Sequence, residues 1–205
     1  MQEEDIQTHE KVLGRVLALS DGVFAIAITL LILNVAVPDG TTKQQIPAAL
    51  AGMWPKYMAF FISFVVIGAF WMSHVRRFRA LKRYTWGLLW LNLLVLMFVV
   101  IIPFVTNLLS NYNSTLTVIL YAITIACAGC AGLLEWLYMY WNNLLSKEVS
   151  RKQLKSTIIL NLITPVFFIL SIGVALIDYN LATYFWILIF VAHVIAFRFF
   201  RLEDI

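Results

Sequence analysis

The sequence contains little charge. Asp, Glu, Lys and Arg make up 13% of its 205 residues, whereas a soluble domain carries roughly 25%. In their place the sequence is 62% hydrophobic, with a mean hydropathy of +0.87. Several apolar runs reach the roughly 20 residues that a membrane-spanning helix needs. The composition excludes an ordinary soluble domain and predicts an integral membrane protein embedded in a lipid bilayer.

Cysteines and the common catalytic motifs are also scarce. The two cysteines, Cys127 and Cys130, form one C-x-x-C inside an apolar run beside Gly129 and Gly132. No second pair or suitably spaced histidine accompanies them, so close helix packing by small residues is favoured over metal or redox chemistry. No P-loop, H-E-x-x-H or G-x-S-x-G segment occurs, nor does the T-V-G-Y-G carbonyl filter of many ion channels. We therefore expect no enzyme and no resident cofactor or metal.

The apolar runs predict six transmembrane helices joined by short polar links. We place these spans at about 13–37, 49–75, 84–109, 116–145, 156–177 and 181–199. No internal repeat or linker divides the sequence, so residues 1–205 are predicted to form one all-α membrane domain. The first run is too long for a signal-peptide core and follows acidic rather than basic residues, so we expect it in the mature protein.

The basic residues predict the orientation. If the six spans alternate in direction, 13 of the 15 Lys and Arg residues lie on one side, and only Lys43 and Lys56 lie on the other. The positive-inside rule makes the basic side cytoplasmic, with both termini inside and the protein in the cell membrane. The sequence pI of about 9.1 is then a consequence of topology, and we expect no nucleic-acid partner.

Ionisable residues inside the predicted spans are candidates for function, because a charge in lipid is costly. They are Asp21, His74, Glu135 and His193. Glu135 and His193 lie in the cytoplasmic portions of their spans, where snorkelling or pairing with basic loop residues would satisfy them. For His74, close to a basic loop, an interfacial role and a functional role both stay open. Asp21 differs because it follows a serine near the start of span 1.

Span 1 has two different faces when it is drawn as a helix at about 100° per residue. One face carries an apolar stripe, which consists of Gly22, Ile26, Leu30, Leu33 and Val37. The hydroxyl of Thr29 flanks the stripe. Ser20 and Asp21 fall on the far side, where we expect them to pack on other helices of the chain. The stripe is then left to face lipid, a further helix or a symmetry axis.

The partners of the polar far side are predicted from depth in the membrane. Candidates at a matching level are Trp71, Ser73 and His74 at the end of span 2 and Asn92 in span 3. The partner of Arg15 stays open: it is six residues from Asp21, so the two are not neighbours on one continuous helix.

The opening of span 1 resembles a known signature. Its sequence R-V-L-A-L-S-D-G is similar to the R-x-x-x-F-S-D-G motif of the transmembrane protein 175 family, the endosomal and lysosomal potassium channels and their prokaryotic relatives. Leu19 departs from the usual phenylalanine, which removes an aromatic contact and leaves the polar residues in place. Two further segments, F-I-S-F-V-V-I-G-A-F-W-M-S-H in span 2 and N-L-L-V-L-M-F-V-V-I-I-P-F in span 3, are also similar to the family.

The resemblance implies a fold, an activity and a set of site residues. A single-repeat prokaryotic member is expected to form a homotetramer in which span 1 of each subunit lines a central potassium-permeable pore. The family's hydrophobic constriction corresponds to Ile26, Leu30 and Leu33, and its threonine layer for modest potassium-over-sodium selectivity corresponds to Thr29. The polar support of the pore helix corresponds to Arg15, Ser20, Asp21, Trp71, His74 and Asn92. Potassium is then the permeant ion and the only metal implied.

Two other functions stay open from the residues. A secondary transporter or proton-coupled carrier would use Asp21, His74 or Glu135 as a titrating relay, although such carriers usually contain two repeats and broken helices. The second of these alternatives is a non-conducting membrane scaffold.

Overall fold

The computed structural model describes residues 2–146, 151–186 and 188–189, and these form an all-helical bundle with a single isolated bridge between loops. The helices in chain order are α1 (Gln2–Leu30), continued by a 3-10 turn at Leu31–Asn34; a 3-10 turn at Lys43–Gln45; α2 (Ile46–Gly52); α3 (Trp54–Arg79); α4 (Trp86–Tyr112); α5 (Thr115–Trp141); α6 (Arg151–Ile177); and α7 (Tyr179–Phe185).

Five helices are long and apolar enough to cross a membrane. They are Lys11–Asn34, Trp54–Arg79, Trp86–Tyr112, Thr115–Trp141 and Leu154–Ile177. The prediction of an all-α, multi-pass membrane protein is confirmed for these five spans. The sixth predicted span, at 181–199, begins within α7, but most of it, including His193, lies outside the described residues.

The boundary predicted for span 2 is wrong. Residues 49–75 are not one helix, because the short α2 ends at Gly52 and α3 begins at Trp54. Pro55 lies in the first turn of α3, where its missing N–H leaves no helical bond unmade and its fixed φ favours a new helix start. Span 2 therefore begins several residues later than its hydropathy indicates and extends to Arg79.

Polar caps fix the starts of α4 and α5. The Thr85 hydroxyl accepts a hydrogen bond from the Leu88 N–H at 3.4 Å at the start of α4. The start of α5 is a capping box of Ser114 and Thr117. Between them, Asn113 ends α4 in the left-handed region with φ 31°, a conformation that asparagine tolerates better than most residues. These caps make the link between spans 3 and 4 a tight turn.

The centre of the bundle is formed by α4, α5 and α6. A Cβ placed on Gly129 of α5 would lie 2.9 Å from Pro165 Cδ of α6, so only glycine permits this approach of the two helices. Cys127 and Cys130 on the same helix are free thiols. Within the described residues no group of three potential metal ligands occurs. Gly129, which lies between the two cysteines, thus serves the close packing of α5 on α6.

The two basic links lie side by side. The Lys82 N–H donates to the Leu144 carbonyl, and the Ser146 N–H donates to the Ala80 carbonyl, each at 2.7 Å. This isolated antiparallel bridge ties the link between α3 and α4 to the link after α5. Both links are therefore at the same end of the bundle, as alternating spans require.

Candidate functional site

One seam of α1 packs against the rest of the chain. Its members are Ser20, Phe24, Ala27 and Leu31, each at most 2% exposed. Their spacing of four, three and four residues is that of one helix face. The seam lies in the groove between α3 and α4, so the described helices hold span 1 from this side.

The opposite face of α1 is uncovered by the described chain. Ile26 is 60% exposed, Leu30 41% and Leu33 69%, and Gly22 and Val37 of the stripe are exposed as well. An apolar face of this length, left bare by its own chain, marks a surface for lipid or another protein. The structure thus places the stripe opposite the seam.

Thr29 stands beside the stripe and is exposed. Its hydroxyl donates a hydrogen bond to the Ile26 carbonyl at 2.9 Å. The hydroxyl proton is therefore occupied by the residue's own helix, and the oxygen keeps lone pairs that point away from that bond. Thr29 can offer an acceptor to a cation or to its water shell without leaving its position.

Ser20 is enclosed where span 1 meets span 3. Its hydroxyl donates to the Val16 carbonyl at 2.9 Å and accepts from the Asn92 amide at 3.1 Å. Both side chains are buried. The expectation that Ser20 packs on other helices of the chain, with Asn92 among its partners, matches this contact.

Asp21 lies on a flank of span 1. The carboxylate accepts a hydrogen bond from the Trp71 indole at 2.9 Å, but both residues stay exposed. Consecutive residues on a helix are about 100° apart, so burial of Ser20 in the seam turns Asp21 onto the flank between the seam and the stripe. The contact with Trp71 of α3 agrees with the expected packing on another helix, but the carboxylate stays exposed on this flank.

His74 lies behind span 1 and not on its uncovered face. The imidazole is fully buried, with ring centroids 5.6 Å from Phe24 and 4.4 Å from Phe78. Neither ring nitrogen has a hydrogen-bond partner among the described residues. His74 thus contributes to the packing of α1 on α3.

Arg15 lies at the open end of a groove beside span 1. The groove has a volume of about 400 Å³ and is lined by Val12, Val16 and Leu19 as well as Arg15. Among the side chains that the structure describes, Arg15 has no hydrogen-bond or ion-pair partner. The structure does not bring Arg15 into the polar contacts of Ser20, Asp21 and their partners.

Two polar contacts were not predicted. The first is a buried ion pair between Arg77 Nε of α3 and Glu135 Oε2 of α5, 2.9 Å apart; Ser73 accepts a further bond from the same guanidinium. The sequence left snorkelling and pairing with a basic loop residue both open for Glu135 and named no partner. The second joins Asn34, at the end of the 3-10 turn, to Asn107 of α4. The sequence signal for the Asn34–Asn107 contact is weak: each of two apolar spans contains an asparagine at this depth.

Asp21, His74 and Glu135 do not form a relay in the described chain. Asp21 bonds Trp71, Glu135 bonds Arg77, and His74 packs on Phe24 and Phe78 without a hydrogen bond to another described residue. Among the described residues no hydrogen bond connects one of these three side chains to another.

The fold and the site together define a multi-pass helical membrane protein whose first span presents an apolar face with a hydroxyl beside it. Residues 15–103 match the sequence model of the family described as the endosomal/lysosomal potassium channel TMEM175. These residues belong to the TMEM175 family, and the recognition made from the signature in span 1 is confirmed.

Individual relatives agree with this assignment. The chain is 48% identical over 99 residues to a potassium channel of Streptomyces collinus, covering 48% of each chain. It is 43% identical over 101 residues to a potassium channel of Chamaesiphon minutus, covering 48% of this chain and 50% of that one. The matched stretch thus spans about half the length of these curated relatives.

The similarity in fold extends further along the chain. The crystal structure of a lysosomal potassium-selective channel TMEM175 homologue from Chamaesiphon minutus superposes with a TM-score of 0.74 at 27% identity, covering 94% of this chain and 98% of that one. The described helices after residue 103 therefore share the fold of that homologue, although the family model matches only residues 15–103.

Proposed function

We propose that the chain is one subunit of a homotetrameric, potassium-permeable leak channel in the cell membrane, with its pore lined by the stripe of span 1. The observation that carries the proposal is the bare apolar stripe on a span that is otherwise packed against its own chain. Potassium is proposed as the permeant ion because two relatives are named potassium channels.

Symmetry follows from the single stripe. One chain provides one such face, and one helix face cannot enclose an axial conduit. A closed ring of identical subunits, each turning its stripe to the axis, covers the apolar face and forms the conduit at once. Four copies are the number that the resemblance implies.

The side chains on the stripe set the kind of conduction. Rings of Ile26, Leu30 and Leu33 form a hydrophobic constriction, which closes a pore by excluding water. Aliphatic side chains supply no oxygen to replace an ion's hydration shell, so ions pass at least partly hydrated when the constriction widens. A ring of Thr29 hydroxyls then gives weak coordination, and we expect only modest potassium-over-sodium selectivity.

Potassium flux from proteoliposomes tests the activity. Purified protein is expected to carry potassium down its gradient without any counter-substrate, and the flux should not saturate as coupled exchange does. Coupled exchange that disappears in Asp21→Asn would instead identify a carrier. If correctly folded protein carries no ion flux at all, the non-conducting membrane scaffold is the function that remains.

The constriction is tested by Ile26→Asn. An amide in the apolar ring lowers the cost of wetting the pore, so the potassium flux should rise and the selectivity should fall. The matched control is Ile123→Asn, because Ile123 of α5 is 45% exposed but lies off the stripe, and its flux should stay at the wild-type level. Unchanged flux through an assembled Ile26→Asn channel would contradict the assignment of Ile26 to the pore.

A further inference from the structure

Span 1 changes its helical form within the stripe. The α-helix ends at Leu30, and Leu31–Asn34 continue as a 3-10 turn, closed by the bond from the Val35 N–H to the Ile32 carbonyl at 2.9 Å. A 3-10 segment has three residues per turn, so side chains three apart lie directly above one another. Within a longer helix such a turn often marks strain or a hinge.

The change of form sets the orientation of Leu33. In an α-helix Leu33 would stand about 60° round the axis from Leu30, because three residues turn through roughly 300°. In the 3-10 turn the same three residues complete about 360°, so Leu33 stacks over Leu30. The two leucines are 41% and 69% exposed. When several subunits surround the pore axis, the stacked leucines form one continuous apolar constriction, which we call the collar, instead of two rings offset by about 60°.

The local sequence does not explain the turn. Leu31–Asn34 has the sequence L-I-L-N, with no glycine or proline, and its leucines are good helix formers. What distinguishes the segment is its last side chain. The Asn34 amide nitrogen donates to the Pro103 carbonyl at 3.3 Å, and its oxygen accepts from the Asn107 amide at 2.8 Å.

These two contacts fix the end of the turn. Asn34 and Asn107 are half-buried and Pro103 is buried, so water cannot readily replace the bonds. Both ends of the Asn34 amide are in use, and a flip of the amide would place oxygen against oxygen at Pro103 and nitrogen against nitrogen at Asn107. We name this pair of contacts the Asn34 clamp.

We propose that Asn34 is a positioning residue for conduction: the Asn34 clamp holds the 3-10 turn and thereby keeps Leu33 stacked on Leu30 in the closed collar. The proposal rests on the proposed function, because it concerns the depth of the pore constriction. Asn34 itself lies off the stripe and acts through Leu33.

The clamp is tested from both of its ends. Asn34→Leu removes both contacts, and Asn107→Leu removes the shorter one from α4. Each hydrogen bond is worth about 1 kcal/mol. Loss of one bond in Asn107→Leu should shift the balance between turn and helix about fivefold, and loss of both in Asn34→Leu up to about 25-fold. The potassium flux should rise by up to the same factors. If Asn34→Leu fails to fold, Asn34→Asp takes its place. It keeps an acceptor for Asn107, so the potassium flux should rise less than for loss of both contacts.

Controls separate positioning from general loosening. Asn161→Leu makes the same change at a half-buried asparagine of α6 whose amide bonds only its own helix, at Thr157, and it should leave the flux unchanged. In a Leu33→Ala background the effect of Asn34→Leu should vanish, because the residue through which it acts is gone. An equal effect with and without Leu33, or wild-type flux in both clamp variants, would overturn the proposal.

A chemical readout keeps the clamp testable without conduction. With Cys127 and Cys130 replaced by alanine, the thiol of Leu33→Cys should react with a thiol reagent at a rate that Asn34→Leu changes by up to about 25-fold. An unchanged rate overturns the clamp even if the protein conducts. If Asn34→Leu changes the rate of thiol modification in a protein that carries no potassium, the proposed role of the Asn34 clamp is supported and the proposed channel function is refuted.

Discussion

Thr29 stands beside the stripe and carries an exposed hydroxyl oxygen that can coordinate an ion. Because its hydroxyl proton is engaged by the Ile26 carbonyl, the oxygen is oriented before an ion arrives, and coordination costs little side-chain entropy. A valine of the same shape would keep the width of the pore and lose only the oxygen. The contribution of Thr29 to selectivity can therefore be separated from its bulk.

Thr29→Val is expected to reduce the preference for potassium over sodium by up to about fivefold, the worth of one hydrogen bond of about 1 kcal/mol. Thr29→Ser should retain the preference, because the hydroxyl remains. Reversal potentials under potassium and sodium gradients measure the change. Thr124→Val is the control, since Thr124 also bonds its own helix, at the Leu120 carbonyl, but lies off the stripe in α5. Full selectivity in Thr29→Val would exclude a threonine layer.

At the level of the helices, a buried ion pair joins α3 to α5. Arg77 is 5% exposed and Glu135 is fully buried, and a Cβ on Gly132 would lie 3.3 Å from the guanidinium. A paired charge in such a place adds little net stability, but loss of one partner leaves the other charge without compensation. The pair therefore favours one arrangement of α3 against α5, and α3 in turn carries His74 and Trp71 behind span 1.

Arg77→Met should destabilise the protein by about 3–5 kcal/mol, the usual cost of breaking a buried pair. Arg77→Met combined with Glu135→Leu should recover much of that loss, because no buried charge is left. Thermal unfolding in detergent measures both. Arg79→Met, at an exposed arginine of the same helix end, serves as the control and should cost little. Equal melting temperatures for Arg77→Met and Arg79→Met would show that the ion pair has no structural role.

The sequence predicts some elements of this molecule well and others not at all. Five spans follow from apolar runs, and the two faces of span 1 follow from helical periodicity, because both depend on local patterns. The break before Pro55 was missed because hydropathy continues across it. The 3-10 turn and the partner of Glu135 were missed because contacts between distant segments determine them, at Asn107 and Arg77 respectively, and a single sequence does not encode those distances directly.

For the whole molecule, the flanks of span 1 are as important for assembly of the proposed ring as its stripe is for conduction. In a closed ring each subunit meets its neighbour through two different surfaces, so one flank of span 1 contacts the opposite flank of the next subunit. Asp21 and Trp71 form one flank and are exposed, and the groove at Arg15 opens beside the stripe. A hydrogen bond that holds a flank in shape should therefore influence assembly more than ion preference.

Asp21→Ala should weaken the tetramer, because Trp71 loses the acceptor that fixes its indole. A bond to a charged group is worth about 1.5 kcal/mol or more, so dissociation into smaller species should increase about tenfold. Asp21→Asn retains an acceptor for Trp71 and should assemble better than Asp21→Ala. Light scattering after size-exclusion chromatography, compared with four copies of the 23.5 kDa chain, measures the effect. An intact Asp21→Ala tetramer with altered ion preference would instead place Asp21 on the ion pathway, and the stripe would no longer account for conduction alone.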